Sequence, residues 1–302
     1  MEASKRVLGE EHPDTLTSIS NLASTYWNQG RWDEAEELDV QVIEARKRVL
    51  GEEHPDTLTS ISNLASTYRN QGQWDEAEEL EVQVIEARKR VLGEEHPDTL
   101  TSISNLASTY WNQGQWDKAK ELEVQVMEAR KRVLGEEHPN TLISINNLAL
   151  TYWNQGQWDE AEELQVQVIE ARKRVLGEEH PDTLISISNL ASTYWNQGRW
   201  DEAEELQVQV MEASKRVLGE EHPDTLTSMH NLAFTLKSQG RWEAAMQLMR
   251  DCFSLRQRRL GPNHPDTMSS SSALAEWKED LTKMNETSVV EGGEEAGSAD
   301  GS

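Results

Sequence analysis

The tetrapeptide His12-Pro13-Asp14-Thr15 recurs at His54, His96, His138, His180, His222 and His264, always 42 residues on, with Asn140 replacing the aspartate once. A unit this short cannot bury its own apolar face. The chain is therefore expected to be an array in which each unit is completed by its neighbours, with no central core.

One unit reads as two helices. From Pro13 to Gln29 the apolar residues Ile19, Leu22, Ala23 and Tyr26 fall on one stripe at about 100° per residue, which predicts an amphipathic helix A. Pro13 suits a first helical position, His12 falls at or next to the N-cap, and Gly30 ends the helix. Helix B runs through Ala35, Leu38, Val42 and Ala45 to Leu50, where Gly51 stops it. Asp33 and Glu36 stand at capping-box spacing, and acids crowd its first turn while Arg46, Lys47 and Arg48 crowd its last. Short connections make A and B an antiparallel hairpin.

The net charge of −26 is spread evenly: the unit Gly51 to Leu92 holds nine acids and four bases. An even acidic exterior disfavours nucleic acid and anionic lipid and leaves a basic protein as a possible partner. No run approaches the roughly 18 apolar residues of a membrane span, and residues 1–30 lack a secretory apolar stretch, so a cytoplasmic location is expected. The single cysteine, Cys252, aligns with Val42, Val84, Val126, Val168 and Val210 and reads as core.

The run Asn21-Leu22-Ala23-x-x-Tyr26-x-x-x-Gly30-x-Trp32-x-x-Ala35 resembles the tetratricopeptide repeat. The unit is longer than that family's usual 34 residues, and helix B continues to Leu50 where the family usually has a proline. This longer form, with Leu-Gly-x-x-His-Pro, resembles the repeats of kinesin light chains and those at the C-terminal end of NLR-like signalling proteins. The resemblance covers roughly residues 1–270 and implies an all-α superhelical solenoid of stacked hairpins whose concave side is lined by helix A.

Met1 to Gly9 is identical to Met211 to Gly219, the end of a helix B. Residues 1–9 are accordingly read as the tail of a truncated repeat in a fragment of a longer protein, with an uncapped end open to self-association. Six hairpins are expected over 10–262, a partial repeat serving as a cap over 263–284, and a disordered acidic tail over 285–302.

Chemistry is sparse. Equivalent histidines in stacked units lie on the order of 10 Å apart, too far for one zinc ion with ligands near 2.1 Å. Adjacent acids such as Glu52 and Glu53 read as solvated, and no phosphate loop or nucleophile motif is present. No enzyme activity, cofactor or metal is expected.

With the copies in register, their differences within helix A become informative. Ile143 and Ile185 replace Thr17, Asn146 replaces Ser20, Leu150 replaces Ser24, and Arg69 replaces Trp27. The four positions span about 80° of arc, away from the apolar stripe. The sixth copy carries His230, read as a surface residue, with Phe234 and Lys237. Within the resemblance these residues line a groove for an extended peptide or partner helix. Its edge would carry Asn21/Asn28, Asn63/Asn70, Asn105/Asn112, Asn147/Asn154 and Asn189/Asn196, whose carboxamides suit peptide backbone.

Trp32, Trp74, Trp116, Trp158, Trp200 and Trp242 occupy the family's packing-aromatic position and read as core; Trp277 belongs to the cap. Trp27, Trp111, Trp153 and Trp195 face the groove, either as contact hot spots or as rings that rigidify the stack. Arg69 and Lys237 would select an acidic ligand residue. The expected function is a scaffold that binds a protein or peptide segment, the recognition region of a larger signalling protein. The alternatives are an assembly element or a kinesin-light-chain-like cargo adaptor.

Overall fold

A computed structural model describes residues 6–296, with side chains through 283. After a helical segment at 6–8 the helices are α1 (Pro13–Asn28), α2 (Trp32–Leu50), α3 (Pro55–Gln71), α4 (Trp74–Leu92), α5 (Pro97–Asn112), α6 (Trp116–Leu134) and α7 (Pro139–Asn154). They are followed by α8 (Trp158–Leu176), α9 (Pro181–Asn196), α10 (Trp200–Val217), α11 (Pro223–Ser238), α12 (Trp242–Leu260) and α13 (Pro265–Ala296). No strand occurs among the described residues. The chain forms two compact units, one to Leu164 and one from Gln165, each an all-α stack of helix hairpins.

Local chemistry sets the helix bounds. In the first copy His12 has extended backbone and its Nδ1 accepts the Asp14 N–H at 3.2 Å, leaving Pro13 at a position that needs no donor. The same cap begins α3, α5, α7, α9, α11 and α13. At the hairpin tip Gly30 takes φ +72, and the Arg31 N–H reaches back to Tyr26 O at 3.0 Å. The capping box does not form. Helix B begins at Trp32, one residue ahead of Asp33, and its N-cap Arg31 makes no side-chain cap bond. The tip glycine returns the chain early, so Asp33 is already helical and serves only the dipole.

An inner helix A is packed between two helices B. In the first unit, Leu58, Ile61 and Leu64 of α3 lie between Ile43 of α2 and Val84 and Ala87 of α4. The set repeats around α5 with Ile85, Leu100, Ile103, Leu106, Val126 and Ala129. In the second unit Ile169, Leu184, Ile187, Leu190, Val210 and Ala213 do the same around α9. Each large aliphatic buried this way contributes about 1.5–3 kcal/mol, and half of each cluster comes from a neighbouring helix. Cys252 is wholly buried, as its valine equivalents indicated, and donates to Leu226 O at 3.2 Å.

A buried arginine ties successive repeats together. Arg88 of α4 is 6% exposed, and its Nη1 donates to Asp98 O at 3.0 Å and Ser102 Oγ at 2.7 Å on α5. Arg46, Arg130, Arg172 and Arg256 make the same pair of bonds in their own copies. Of the three bases at the end of the first helix B, Lys47 and Arg48 stand in its last turn, whereas Arg46 bonds across to the next repeat. The exteriors carry a second ladder, Arg48 to Glu11 and Arg90 to Glu53, but such exposed pairs contribute little.

Two other expectations change. Trp32, Trp74, Trp116 and Trp200 stand at the first position of helix B and remain 36–39% exposed instead of entering the core, while Trp158 and Trp242 are half-buried. The last helix runs to Ala296, past the expected cap at 263–284. Residues 297–302 of the expected tail and 1–5 of the truncated repeat lie outside the described residues.

Candidate functional site

The helix A face that varies between copies is solvated in large part. Thr17, Asn21, Ser24, Trp27, Asn28, Asn63, Asn70, Trp111, Asn112, Ile143, Ile185 and Trp195 are exposed. Ser20, Arg69, Asn105, Asn146, Asn147, Leu150, Trp153, Asn154, Asn189 and Asn196 are half-buried, as are His230, Phe234 and Lys237. The second asparagine of each pair bonds its own helix: Asn28 Nδ2 donates to Ser24 O at 2.7 Å, and Asn70, Asn112, Asn154 and Asn196 repeat the contact. One amide hydrogen of each is thereby committed.

Trp27 and Trp111 each border a recess on this face of the first unit. The first, about 300 Å³, is lined by Trp27, Asn28, Asn63 and, at its base, Asp39 of α2. The second, about 200 Å³, is lined by Trp111, Asn112, Leu150 and Glu123 of α6. Asp39 and Glu123 are equivalent positions on helix B. Both carboxyls are buried, and loss of hydration raises their pKa to about 6 and about 7. Thr67 Oγ1 lies 3.4 Å from Asp39, while Glu123 Oε2 has no hydrogen-bond partner.

The intervening copy shows what such a recess takes. There Arg69 stands in place of the tryptophan, and its Nη1 lies 3.5 Å from Oε1 of Glu81, the buried equivalent of Asp39 and Glu123. The same Nη1 donates to Asn105 O at 3.2 Å. Arg69 therefore does not offer its charge to an acidic ligand; it neutralises a carboxylate of its own chain. Burial pushes the Glu81 carboxyl up to about 7 even so. The helix B series Asp39, Glu81, Glu123, Gln165, Gln207 and Met249 varies as much as helix A does, and aligning helix B in the same register would have exposed it.

The sixth copy departs from the expected groove altogether. Phe234 packs edge-on against Trp277 at 5.0 Å, and the Lys237 ammonium bonds Asp280 at 3.0 Å. His230 is no surface residue. Its Nδ1 sits 3.3 Å from Ser270 Oγ and 3.2 Å from Arg256, and burial with that cation holds its pKa down at about 4. These residues seat α13 on α11, as Arg69 reaches from α3 to Asn105 O of α5 in an earlier copy. Trp195 is also partly structural, since its ring N–H donates to Ser238 Oγ of α11 at 3.1 Å.

The tetratricopeptide repeat model matches residues 14–90, 61–132, 98–174, 141–195 and 183–258. Among solved structures, a Podosopora anserina protein described as a kinesin light chain with nearly identical TPR-like repeats is 37% identical. The match covers 68% of this chain and 98% of that one, with TM-score 0.62. BtubC from P. vanneervenii is 21% identical over 78% of this chain and 94% of its own, TM-score 0.66. A signal transduction ATPase with numerous domains and a tetratricopeptide repeat sensor, from Pyrococcus horikoshii, shares the fold at 13% identity and TM-score 0.69, over 89% of this chain and 39% of its own. No match was found among curated proteins. No helix of the described residues is long and apolar enough to cross a membrane. With family matches running through residues 14–258 and hairpins in the family's register, the chain belongs to the tetratricopeptide repeat family.

Proposed function

We propose that this protein-interaction scaffold, with no catalytic role, holds an extended basic segment of a partner along the helix A face of the unit ending at Leu164. The observation that carries this reading is the contact of Arg69 with Glu81, flanked in sequence by two recesses with the same buried acid and an exposed tryptophan at the rim. A lysine or arginine entering beside Trp27 would meet an aromatic face and a carboxylate together, which favours a cation over a neutral side chain. Attraction by the −26 net charge of the chain adds to its capture rate. The first asparagines of the pairs, Asn21 and Asn63, are exposed on this face and suit the backbone of such a segment. A place as the recognition region of a larger signalling protein is part of the same proposal.

Fluorescence anisotropy with a labelled (Gly-Ser-Arg)4 peptide tests the reading against a (Gly-Ser-Glu)4 control. The basic peptide should bind and the acidic one should not. Trp27→Ala combined with Trp111→Ala should weaken binding by about tenfold or more, from roughly 1 kcal/mol of cation and ring contact at each site. Both rings are more than a third exposed, so the unfolding midpoint should stay close to that of the parent. Equal binding of the acidic peptide, or an early melt with binding retained, would sink the proposal and assign the rings to the stack.

A further inference from the structure

The arginine that bonds successive repeats is present in five of the six hairpins and replaced once. Positions 46, 88, 130, 172 and 256 are Arg, and position 214 is Ser. In every arginine copy Nη1 reaches a main-chain oxygen and a serine hydroxyl on the next helix A. The acceptors remain where the arginine is missing: Asp224 O and the buried Ser228 on α11.

Between α9, α10 and α11, within the second unit, the replacement leaves a cavity of about 280 Å³ lined by Ile185, Ser188, Val210, Ser214, Asp224 and Ser228. Ser228 responds to the lost donor. In four of the five intact copies the equivalent hydroxyl donates to the aspartate or asparagine carbonyl four residues back, whereas Ser228 Oγ turns to Thr225 O at 2.8 Å. No side-chain donor reaches Asp224 O among the described residues, in contrast with its five counterparts. The helix end shifts as well, since α10 stops at Val217 where the other helices B continue one residue further to a leucine.

The cavity opens on the helix A face. In the second copy Arg88 Nη2 extends to the exposed Thr59 Oγ1 at 3.2 Å, so the guanidinium end already lies at that face. The equivalent of Thr59 at the altered position is Ile185, 49% exposed, which offers an apolar wall at the mouth. The carboxylate-bearing residue Asp224 also lines the space, on the outer side of the helix start.

We propose that this cavity is a guanidinium pocket that receives an arginine side chain from a bound protein segment, which rebuilds from outside the bonds that the five internal arginines make. The pocket extends the basic-segment reading to a second, separate surface and names arginine as the residue read there. In the five copies one nitrogen, Nη1, meets both acceptors, so the preference for arginine comes from its flat and weakly hydrated guanidinium, whose remaining faces can lie against Val210 and Ile185 where a compact, strongly hydrated ammonium would lose more of its water.

The test is calorimetric titration of the full chain with Nα-acetyl-arginine amide, the matching lysine and citrulline amides, agmatine, and the peptide Gly-Arg-Gly. Expected are saturable one-to-one binding of the arginine probe and at least about tenfold weaker binding of citrulline, which lacks the charge, and of lysine, whose ammonium is more strongly hydrated. Gly-Arg-Gly should bind more tightly than agmatine; equal binding of agmatine would overturn the peptide source in favour of a free guanidinium compound. Ser214→Arg should abolish binding with a melting temperature equal to or above that of the parent, because it restores the residue found in the other copies. Ser228→Ala should weaken binding by about tenfold with the fold intact, which keeps the test decisive if the filled variant folds poorly. No binding by the parent, or equal binding by parent and Ser214→Arg, would overturn the pocket. Those readouts do not involve Trp27 or Trp111, so this proposal and the tryptophan recesses fail separately.

Discussion

Replacing Trp277 with alanine is expected to lower the unfolding free energy by about 3–5 kcal/mol, the range for removing a large aromatic from a packed core. Among the described residues Trp277 is the largest fully buried side chain. It joins α13 to a cluster that includes Leu232, Leu236, Met246 and Met249, and Phe234 meets its ring edge-on at 5.0 Å. Lys237 lies 5.4 Å from the ring centroid, so the ring also shields a cation that is paired with Asp280. In a stacked array each hairpin depends on its neighbours, and the deficit should appear first where α13 seats on α11 and α12. Urea denaturation would measure the total, and hydrogen exchange should show faster amides in α12 and α13 with those of α9 little changed. A loss below about 1 kcal/mol would show that α13 adds little to this core.

The helix starts were legible because their causes are local. His12, Pro13 and Asp14 act through bonds two residues apart, so a repeated tetrapeptide marks each helix A correctly. The capping box misled because spacing alone does not say whether Asp33 is the last non-helical residue; the turn at Gly30 makes Trp32 helical first. Arg69 was assigned the wrong partner for a different reason. Its carboxylate lies 12 residues away on α4, and an array whose copies differ in both helices must be compared in both. Restricting comparison to helix A also hid Ser214, whose meaning depends on Asp224 and Ser228 in the next repeat. His230 and Phe234 look like groove residues when helix A is read alone, yet Ser270 and Trp277 of α13 hold them in the stack. Position within one repeat was readable; what the next helix supplies was not.

Glu123→Gln is expected to stabilise the protein by about 3 kcal/mol at pH 8 and by almost nothing at pH 4. Burial lifts the Glu123 carboxyl from its ordinary 4.5 to about 7, so the folded chain keeps a proton that the unfolded chain releases. Below pH 4.5 both states hold the proton and the glutamate carries no penalty. As pH rises from 4.5 to 7 the unfolded state ionises first and stability falls, and above 7 the full burden remains. An interval of about 2.5 pH units at about 1.36 kcal/mol each gives the magnitude. Glutamine has no proton to lose, and buried Gln165 and Gln207 already occupy equivalent positions. The Thr151 hydroxyl beside Glu123 can donate to the amide oxygen of the variant, as Thr193 does to Gln165 at 2.8 Å. The same change should impair capture of the (Gly-Ser-Arg)4 peptide, because the charged carboxylate that destabilises the empty fold is the group a ligand cation would meet. Peptide binding to the parent should accordingly tighten as pH rises through 7 and release a proton, measurable as a buffer-dependent heat. A Glu123→Gln stability gain that is the same at pH 4 and pH 8 would mean that the carboxyl stays hydrated, and that the recess holds no stored preference for a cation.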